Sequence, residues 1–138
     1  MHPTTQLYFD FLQTEGYVPT VNEQNDVVFK QEGKTFVISV DEDDDQFLRV
    51  IFPNFWSVET AEELVRALAM ANAINARFKV GKIVVVNNQV WAVAEMFIDS
   101  SPELDEFVPR ILHILRHTAD AFGTLMKAED LGSSISLN

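Results

Sequence analysis

Two very short links between apolar segments constrain this chain more than any other feature of its sequence. The residues in them include Gly33 in the first link and Asn87-Asn88 in the second, types that tolerate the positive φ angles of two-residue β-turns. The sequence therefore predicts two antiparallel hairpins. Their strands are residues 27–31 and 34–40 around Glu32-Gly33, and residues 82–86 and 89–98 around Asn87-Asn88.

The second hairpin has one face without any charged residue. A turn at Asn87-Asn88 fixes which residues oppose one another, and opposed residues share a face. The expected pairs are Val86 with Gln89, Val84 with Trp91, and Ile83 with Ala92. We expect the uncharged face to be the core, because its alanines leave room for close packing of a helix. It holds Ile83, Val85, Val90, Ala92, Ala94, Met96 and Ile98.

The opposite face of this hairpin is more apolar than a solvated sheet face needs to be. Trp91, Val93 and Phe97 lie on it together, whereas a face in water normally carries polar residues. Two interpretations are open. Either a helix or the chain termini cover part of this face, or it is a contact surface for a second copy or another partner, as contiguous exposed apolar patches usually are. We favour the contact surface.

Helical spacing of apolar residues predicts the first two helices. One carries an apolar stripe over residues 7–12 and stops at Gly16, where a helix C-terminus favours glycine. The other begins at Thr60, which forms a capping-box pattern with Glu63, and keeps its spacing to Phe78. Its Asn72 and Asn75 are either local structural groups or hydrogen-bonding residues of a helix-mediated dimer.

A third helix is predicted to begin at Ser101-Pro102, with proline at its first position. Pro109 falls opposite its apolar face and is expected to kink this helix or to delay its regular part. We expect residues 127–138 to form a small, polar and flexible tail and residues 1–126 to form one domain. The predicted apolar face of the helix consists of Leu104, Phe107, Val108, Ile111, Leu115, Thr118, Ala119 and Phe122.

Prolines limit where the remaining strands can lie and where they end. Residues 17–21 contain Pro19 and are expected at a sheet edge or in irregular structure. Residues 47–52 form the next strand, which should end at Pro53 because proline has no N–H to donate to a ladder. The order α-βββ(β)-α-ββ-α predicts an α+β fold with an antiparallel sheet.

Charge and composition exclude several classes of protein. The chain has 138 residues, no cysteine and a formal net charge of −11, so a disulfide framework is impossible and binding of nucleic acid through charge is disfavoured. It shows no secretory signal and no apolar run of the ~20 residues that a membrane span requires. We therefore expect a cytoplasmic protein that contacts neither nucleic acid nor membrane.

No catalytic or cofactor-binding motif is recognisable. The acidic run 41–45 lacks the Gly and Glu of an EF-hand loop, and the glycines form no phosphate-binding pattern. His113 and His117 have the i, i+4 spacing of helical metal ligands, with Asp120 on the same side. The zinc-protease pattern needs Glu after the first His, and Ile114 stands there. We expect solvent-facing histidines, no metal and no enzyme.

An aromatic segment joins the strand at 47–52 to the second helix. Phe55 and Trp56 follow Pro53-Asn54, and connecting segments usually lie at the surface. They are expected either to fold back before Thr60 or to anchor an interface, where Trp is enriched.

The chain resembles the YbjN family of small bacterial proteins, which have a type III secretion chaperone-like fold. The resemblance lies in FLQTEGY at 11–17, in strand 34–40 with its acidic turn, in ANAINARFKVGKIVV at 71–85 and in VWAVAEMFI at 90–98. It implies an acidic, often dimeric cytosolic protein. Chaperones of this fold bind extended segments as homodimers, and YbjN-type proteins are named as candidate sensory transduction regulators without an established reaction.

We therefore predict a non-enzymatic regulatory or chaperone-like protein that acts as a homodimer and binds a peptide or protein partner. An extended partner could also add to the edge of the sheet. The alternative is a small-molecule-binding regulator with a cavity between the long helix and the sheet. No cofactor is expected. The predicted partner-binding residues are Phe52, Phe55, Trp56, Trp91, Val93 and Phe97.

Overall fold

The computed structural model describes residues 1–99 and 102–128. Its elements follow the predicted order, with four strands before the second helix. They are α1 (Pro3–Thr14), β1 (Thr20–Val21), β2 (Val27–Gln31), β3 (Lys34–Ser39), β4 (Phe47–Ser57), α2 (Ala61–Arg77), β5 (Lys82–Val86), β6 (Gln89–Phe97) and α3 (Leu104–Lys127). The predicted α+β fold is confirmed.

The strands form one antiparallel sheet in the order β1-β2-β3-β4-β6-β5. Both two-residue links have the positive φ angles of tight hairpin turns, 50° and 79° at Glu32 and Gly33, and 48° and 62° at Asn87 and Asn88. The predicted pairs Val86 with Gln89, Val84 with Trp91 and Ile83 with Ala92 are all present. Local turn chemistry therefore sets the register of both hairpins.

The core lies on one face of the sheet, against the helices. Tyr8 and Leu12 of α1 are buried at the β2 end, and α2 and α3 contact β5 and β6. Ala92 and Ala94 are 0% and 1% exposed, and α3 packs against their strand as the small side chains allow. The predicted uncharged face is thus the core face, although Val85 and Met96 are only half-buried.

Helix ends follow the sequence signals. The N–H of Gly16 donates to Gln13 and that of Tyr17 to Leu12, which is a Schellman motif with Gly16 at φ 94°. Thr60 caps α2 by accepting the N–H of Glu63 at 3.1 Å. The predicted stop of α1 and start of α2 are therefore confirmed.

The prediction that the strand ends at Pro53 was wrong. Strand β4 continues to Ser57 because a bulge between Phe52 and Trp56 shifts its register against β6. Asn54 takes a positive φ of 53° within the bulge. The bulge leaves Pro53 outside the ladder, so its missing N–H breaks no inter-strand hydrogen bond.

The third helix also differs from its prediction. It begins at Leu104, after Pro102, and runs through Pro109 without delay; Ser101 lies outside the described residues. Pro109 is exposed. Phe107 is 37% exposed rather than buried, whereas Leu112, which the predicted apolar face omitted, is fully buried.

The predicted tail begins within this helix. Lys127 is its last residue, and residues 129–138 lie outside the described residues. Within the ranges 1–99 and 102–128, no helix has both the length and the apolar character that a bilayer crossing demands.

Candidate functional site

The sheet face opposite the helices carries a continuous apolar row. Val28, Val37, Ile51 and Val93 are paired in succession across β2, β3, β4 and β6, and each is half-buried. We call this surface the outer face. Its members are this row together with Lys30, Thr35, Ser39, Phe47, Arg49, Lys82, Val84, Val86, Gln89, Trp91, Glu95 and Phe97. Of the interpretations drawn from sequence, helix cover does not apply to it, since the three described helices pack on the core face.

Aromatic residues flank the apolar row. Phe97 is 83% exposed and its ring meets Phe47 edge-to-face, with centroids 6.3 Å apart. Trp91 lies on the other side of the row, and its indole N–H donates to Asn54 Oδ1 at 2.8 Å. That hydrogen bond joins β6 to the bulge of β4 and holds the indole against the sheet. Trp91, Val93 and Phe97 therefore share one surface, as the register predicts.

The outer face carries little net charge, although the chain as a whole is acidic. The Lys82 ammonium turns away from it and donates to the carbonyls of Asn75 and Phe78 at the end of α2, at 3.0 and 2.6 Å. The charges that remain are Lys30, Arg49 and Glu95. Arg49 and Glu95 form an ion pair at 2.7 Å between exposed side chains. Since the whole chain has a net charge of −11, the excess acid lies elsewhere.

The edge of the sheet at β5 is occupied by a side chain. The Asn75 side chain accepts the N–H of Ile83 at 2.7 Å and donates to its carbonyl at 2.9 Å. Asn75 is thus a local structural group, while Asn72 is exposed. The opposite edge strand, β1, has only two residues. Neither edge offers the long unpaired backbone that strand addition uses.

The aromatic segment folds back onto α3. Phe52 is 8% exposed, and both Phe55 and Trp56 meet the ring of Phe122 edge-to-face, at 5.7 and 5.9 Å between centroids. The indole N–H of Trp56 donates to Glu63 Oε1 at 3.1 Å. The six predicted partner-binding residues therefore divide between the two sides of the sheet. Phe52, Phe55 and Trp56 lie on the helix side.

Phe55 and Trp56 form one wall of a cleft on the helix side. The cleft has a volume of about 700 Å³ and lies between β4 and α3, with Lys34 at its edge. Its aromatic wall faces a mainly polar one. The lining consists of Lys34, Phe52, Phe55, Trp56, His113, Arg116, His117, Ala119, Asp120, Gly123, Thr124 and Lys127.

The histidines singled out in the sequence lie in this cleft. His113, His117 and Asp120 all line it, and His117 also stacks on Phe78 with ring centroids 5.6 Å apart. Within the part of the chain that the structure describes, no three His, Asp or Glu side chains are grouped closely enough to hold a metal ion.

Sequence reasoning missed the cleft because no local motif marks it. The α3 residues in its wall recur at helical spacing from His113 to Lys127, on the flank of the apolar face. That polar flank is a readable signal. Lys34 and Trp56 lie far from α3 in the sequence, and they line the same cleft only because of how α3 is placed over the sheet.

Comparison with known proteins supports the fold. The crystal structure of YbjN, described as a candidate transcription regulator from E. coli, matches this chain with a TM-score of 0.66. The match covers 91% of this chain and 93% of that chain, at 13% sequence identity. The sequence matches no protein-family model and no curated protein. The chain therefore has a YbjN-like α+β fold, and that neighbour is described as a regulator rather than as an enzyme.

Proposed function

We propose that this chain is a non-enzymatic regulatory or chaperone-like protein of the YbjN type. It binds a second copy of itself through the outer face, and the homodimer binds a peptide or protein partner. The observation that carries the proposal is the apolar row Val28, Val37, Ile51 and Val93, which no described helix covers. Its cytoplasmic location is part of the same proposal.

Charge favours the outer face as the contact between two copies. Two chains that each carry a net charge of −11 repel one another over most of their surface. The outer face is the exception, because it carries few charges: Arg49 is paired with Glu95 and the Lys82 ammonium is bonded to the end of α2. Burial of Phe97, at 83% exposure, adds apolar area that the single chain leaves in water.

The test is the absolute mass in solution by light scattering, over a dilution series. We expect the wild type to have twice the chain mass of 15.7 kDa. Phe97→Ser and Trp91→Ala should shift the equilibrium towards monomer. The matched control is Leu68→Ser, because Leu68 is 52% exposed on α2 and lies away from the outer face. Thermal unfolding of each variant shows whether the fold is retained.

The outcomes separate the possible contact surfaces. A wild-type chain that stays monomeric at every concentration contradicts the homodimer. If Leu68→Ser dissociates the dimer and Phe97→Ser does not, the interface lies at α2, and the assignment to the outer face is overturned. Dissociation by Phe97→Ser and Trp91→Ala alone supports it.

The alternative function is a small-molecule-binding regulator. The observation in its favour is the cleft of about 700 Å³, a size typical of ligand sites. It lies beside α3, the last helix, whereas the sequence-based expectation placed a cavity at the long helix that became α2.

A further inference from the structure

We infer that the cleft between β4 and α3 is a binding site for a small aromatic anion. Its ring would lie against Phe55 and Trp56, and its carboxylate or phosphate would lie among Lys34, Arg116 and Lys127. The inference rests on the alternative function above, since it names the class of ligand. It is independent of the outer face, which lies on the other side of the sheet.

Charge in the cleft is opposite in sign to that of the chain. Acidic residues outnumber Lys and Arg by 21 to 10 in the whole sequence. In the lining, Lys34, Arg116 and Lys127 stand against Asp120, and Glu32 pairs with Arg116. Three positive charges against two negative ones leave an excess of one positive charge, beside the two histidines. A concave site with this lining concentrates an anion that the rest of the surface repels.

Arg116 is held in position in this wall of the cleft. Its Nη1 group forms an ion pair with Glu32, which fixes one side of the guanidinium. Its Nε atom is buried, so a ligand in the cleft would meet the outer end of the guanidinium instead, on a side chain that is 29% exposed. An oxyanion is the acceptor that a guanidinium binds best.

The aromatic wall leaves room for a ring. Phe55 and Trp56 are half-buried, and their contacts with Phe122 are edge-to-face, so Phe122 does not stack over either ring. Gly123 lines the cleft beside Trp56: a Cβ placed on it would lie 3.7 Å from Trp56 Cζ3. The absence of a side chain there keeps that edge of the indole open. Offset stacking on such rings contributes about 1 kcal/mol beyond burial of their area.

Proton–nitrogen NMR correlation spectra of the uniformly ¹⁵N-labelled full chain test the inference. The chain has two tryptophans, so the indole N–H signal of Trp56 reports on the cleft and that of Trp91 serves as the internal control. The probes are AMP and indole-3-acetate, which distinguish phosphate from carboxylate. Each is compared with its neutral ring, adenosine or indole, and with its ring-free anion, inorganic phosphate or acetate.

We expect at least one of the two aromatic anions to shift the Trp56 signal and leave Trp91 unchanged, with the neutral rings and simple anions binding at least about tenfold more weakly. Lys34→Gln combined with Lys127→Gln should weaken that binding by about tenfold or more. The matched control combines Lys79→Gln with Arg110→Gln, which removes the same charge from exposed positions outside the cleft. It should retain the affinity of the wild type.

Several results would overturn the inference. The first is a Trp56 signal that neither aromatic anion shifts at about 10 mM, a concentration at which even weak specific ligands bind. The second is equal binding by the neutral ring or by the simple anion. An equal loss of affinity in the Lys79→Gln and Arg110→Gln control would mean that net charge alone explains the effect, and it would also overturn the inference. Phe97→Ser should leave ligand binding unchanged, so failure of the homodimer and failure of the cleft are told apart.

Discussion

Replacement of Asn75 by alanine should destabilise the protein more than any other single change at the surface of α2. The variant removes the two hydrogen bonds to the backbone of Ile83, a residue that is 3% exposed. Each orphaned buried group costs about 1–3 kcal/mol. The higher helix propensity of alanine returns about 0.5 kcal/mol of stability. Water that reaches the β5 edge can hydrogen-bond the freed groups of Ile83, which offsets part of the remaining loss. The expected net loss is about 2–4 kcal/mol.

Urea unfolding followed by tryptophan fluorescence measures this loss. With a slope of about 1–3 kcal/mol per M for a domain of this size, the midpoint should fall by about 1–2 M. Asn72→Ala is the matched control, because Asn72 is exposed on the same helix and should gain a few tenths of a kcal/mol from helix propensity. Asn75→Asp keeps the acceptor for the Ile83 N–H but sets an oxygen against the Ile83 carbonyl, so it should also destabilise the fold.

The reasoning would be refuted by equal stabilities of Asn75→Ala and Asn72→Ala, within about 0.5 kcal/mol of each other. Such a result would mean that water satisfies the Ile83 backbone as well as the Asn75 amide does. A change in the slope of the urea transition, rather than in its midpoint alone, would point to a different unfolded state.

Three further changes have distinct expected signs. Gly81→Ala should cost about 1–3 kcal/mol, because its Cβ would clash with Thr118 Oγ1 and lie 3.1 Å from Ile114 Cγ2; adding Thr118→Ala should recover part of that loss in urea titrations. Gly123→Ala should stabilise α3 by about 0.5–1 kcal/mol, and a lower Tm would contradict this. Burial, with a smaller contribution from Asp45, raises the pKa of Tyr8 to about 12 from 10.0. The stability that the protonated Tyr8 hydroxyl contributes is therefore complete below pH 10 and is lost as the pH rises through 12. Thermal melts of Tyr8→Phe should show a smaller fall in Tm over this alkaline range.

The elements that local chemistry determines could be predicted from the sequence. Positive φ angles at Gly33 and Asn87-Asn88 require particular residue types, and a two-residue turn leaves one register for the strands beside it. The cap at Thr60 depends only on residues within one helical turn. These signals need no knowledge of the tertiary structure, and they are the ones that the structure confirms.

The parts that depend on distant contacts could not be predicted in the same way. Pro53 excludes a regular ladder position, but it does not exclude a bulge, and the bulge is joined to β6 by the Trp91–Asn54 hydrogen bond. Trp56 was open to two interpretations because its partners, Glu63 and Phe122, lie on two different helices. The aromatic segment and the cleft both depend on the placement of α3 over β4, which no local pattern encodes.

The placement of polar groups at the sheet edges bears on how a partner can bind. Strand addition gains its affinity from unpaired backbone groups along an edge. At β5 the Asn75 amide already occupies the N–H and carbonyl of Ile83, and β1 offers only Thr20 and Val21. Protected edges also suppress aggregation in a sheet with an uncovered apolar face. Under the proposed function we therefore expect a partner to bind through side chains, on the outer face or in the cleft, with selectivity from shape and charge rather than from backbone pairing.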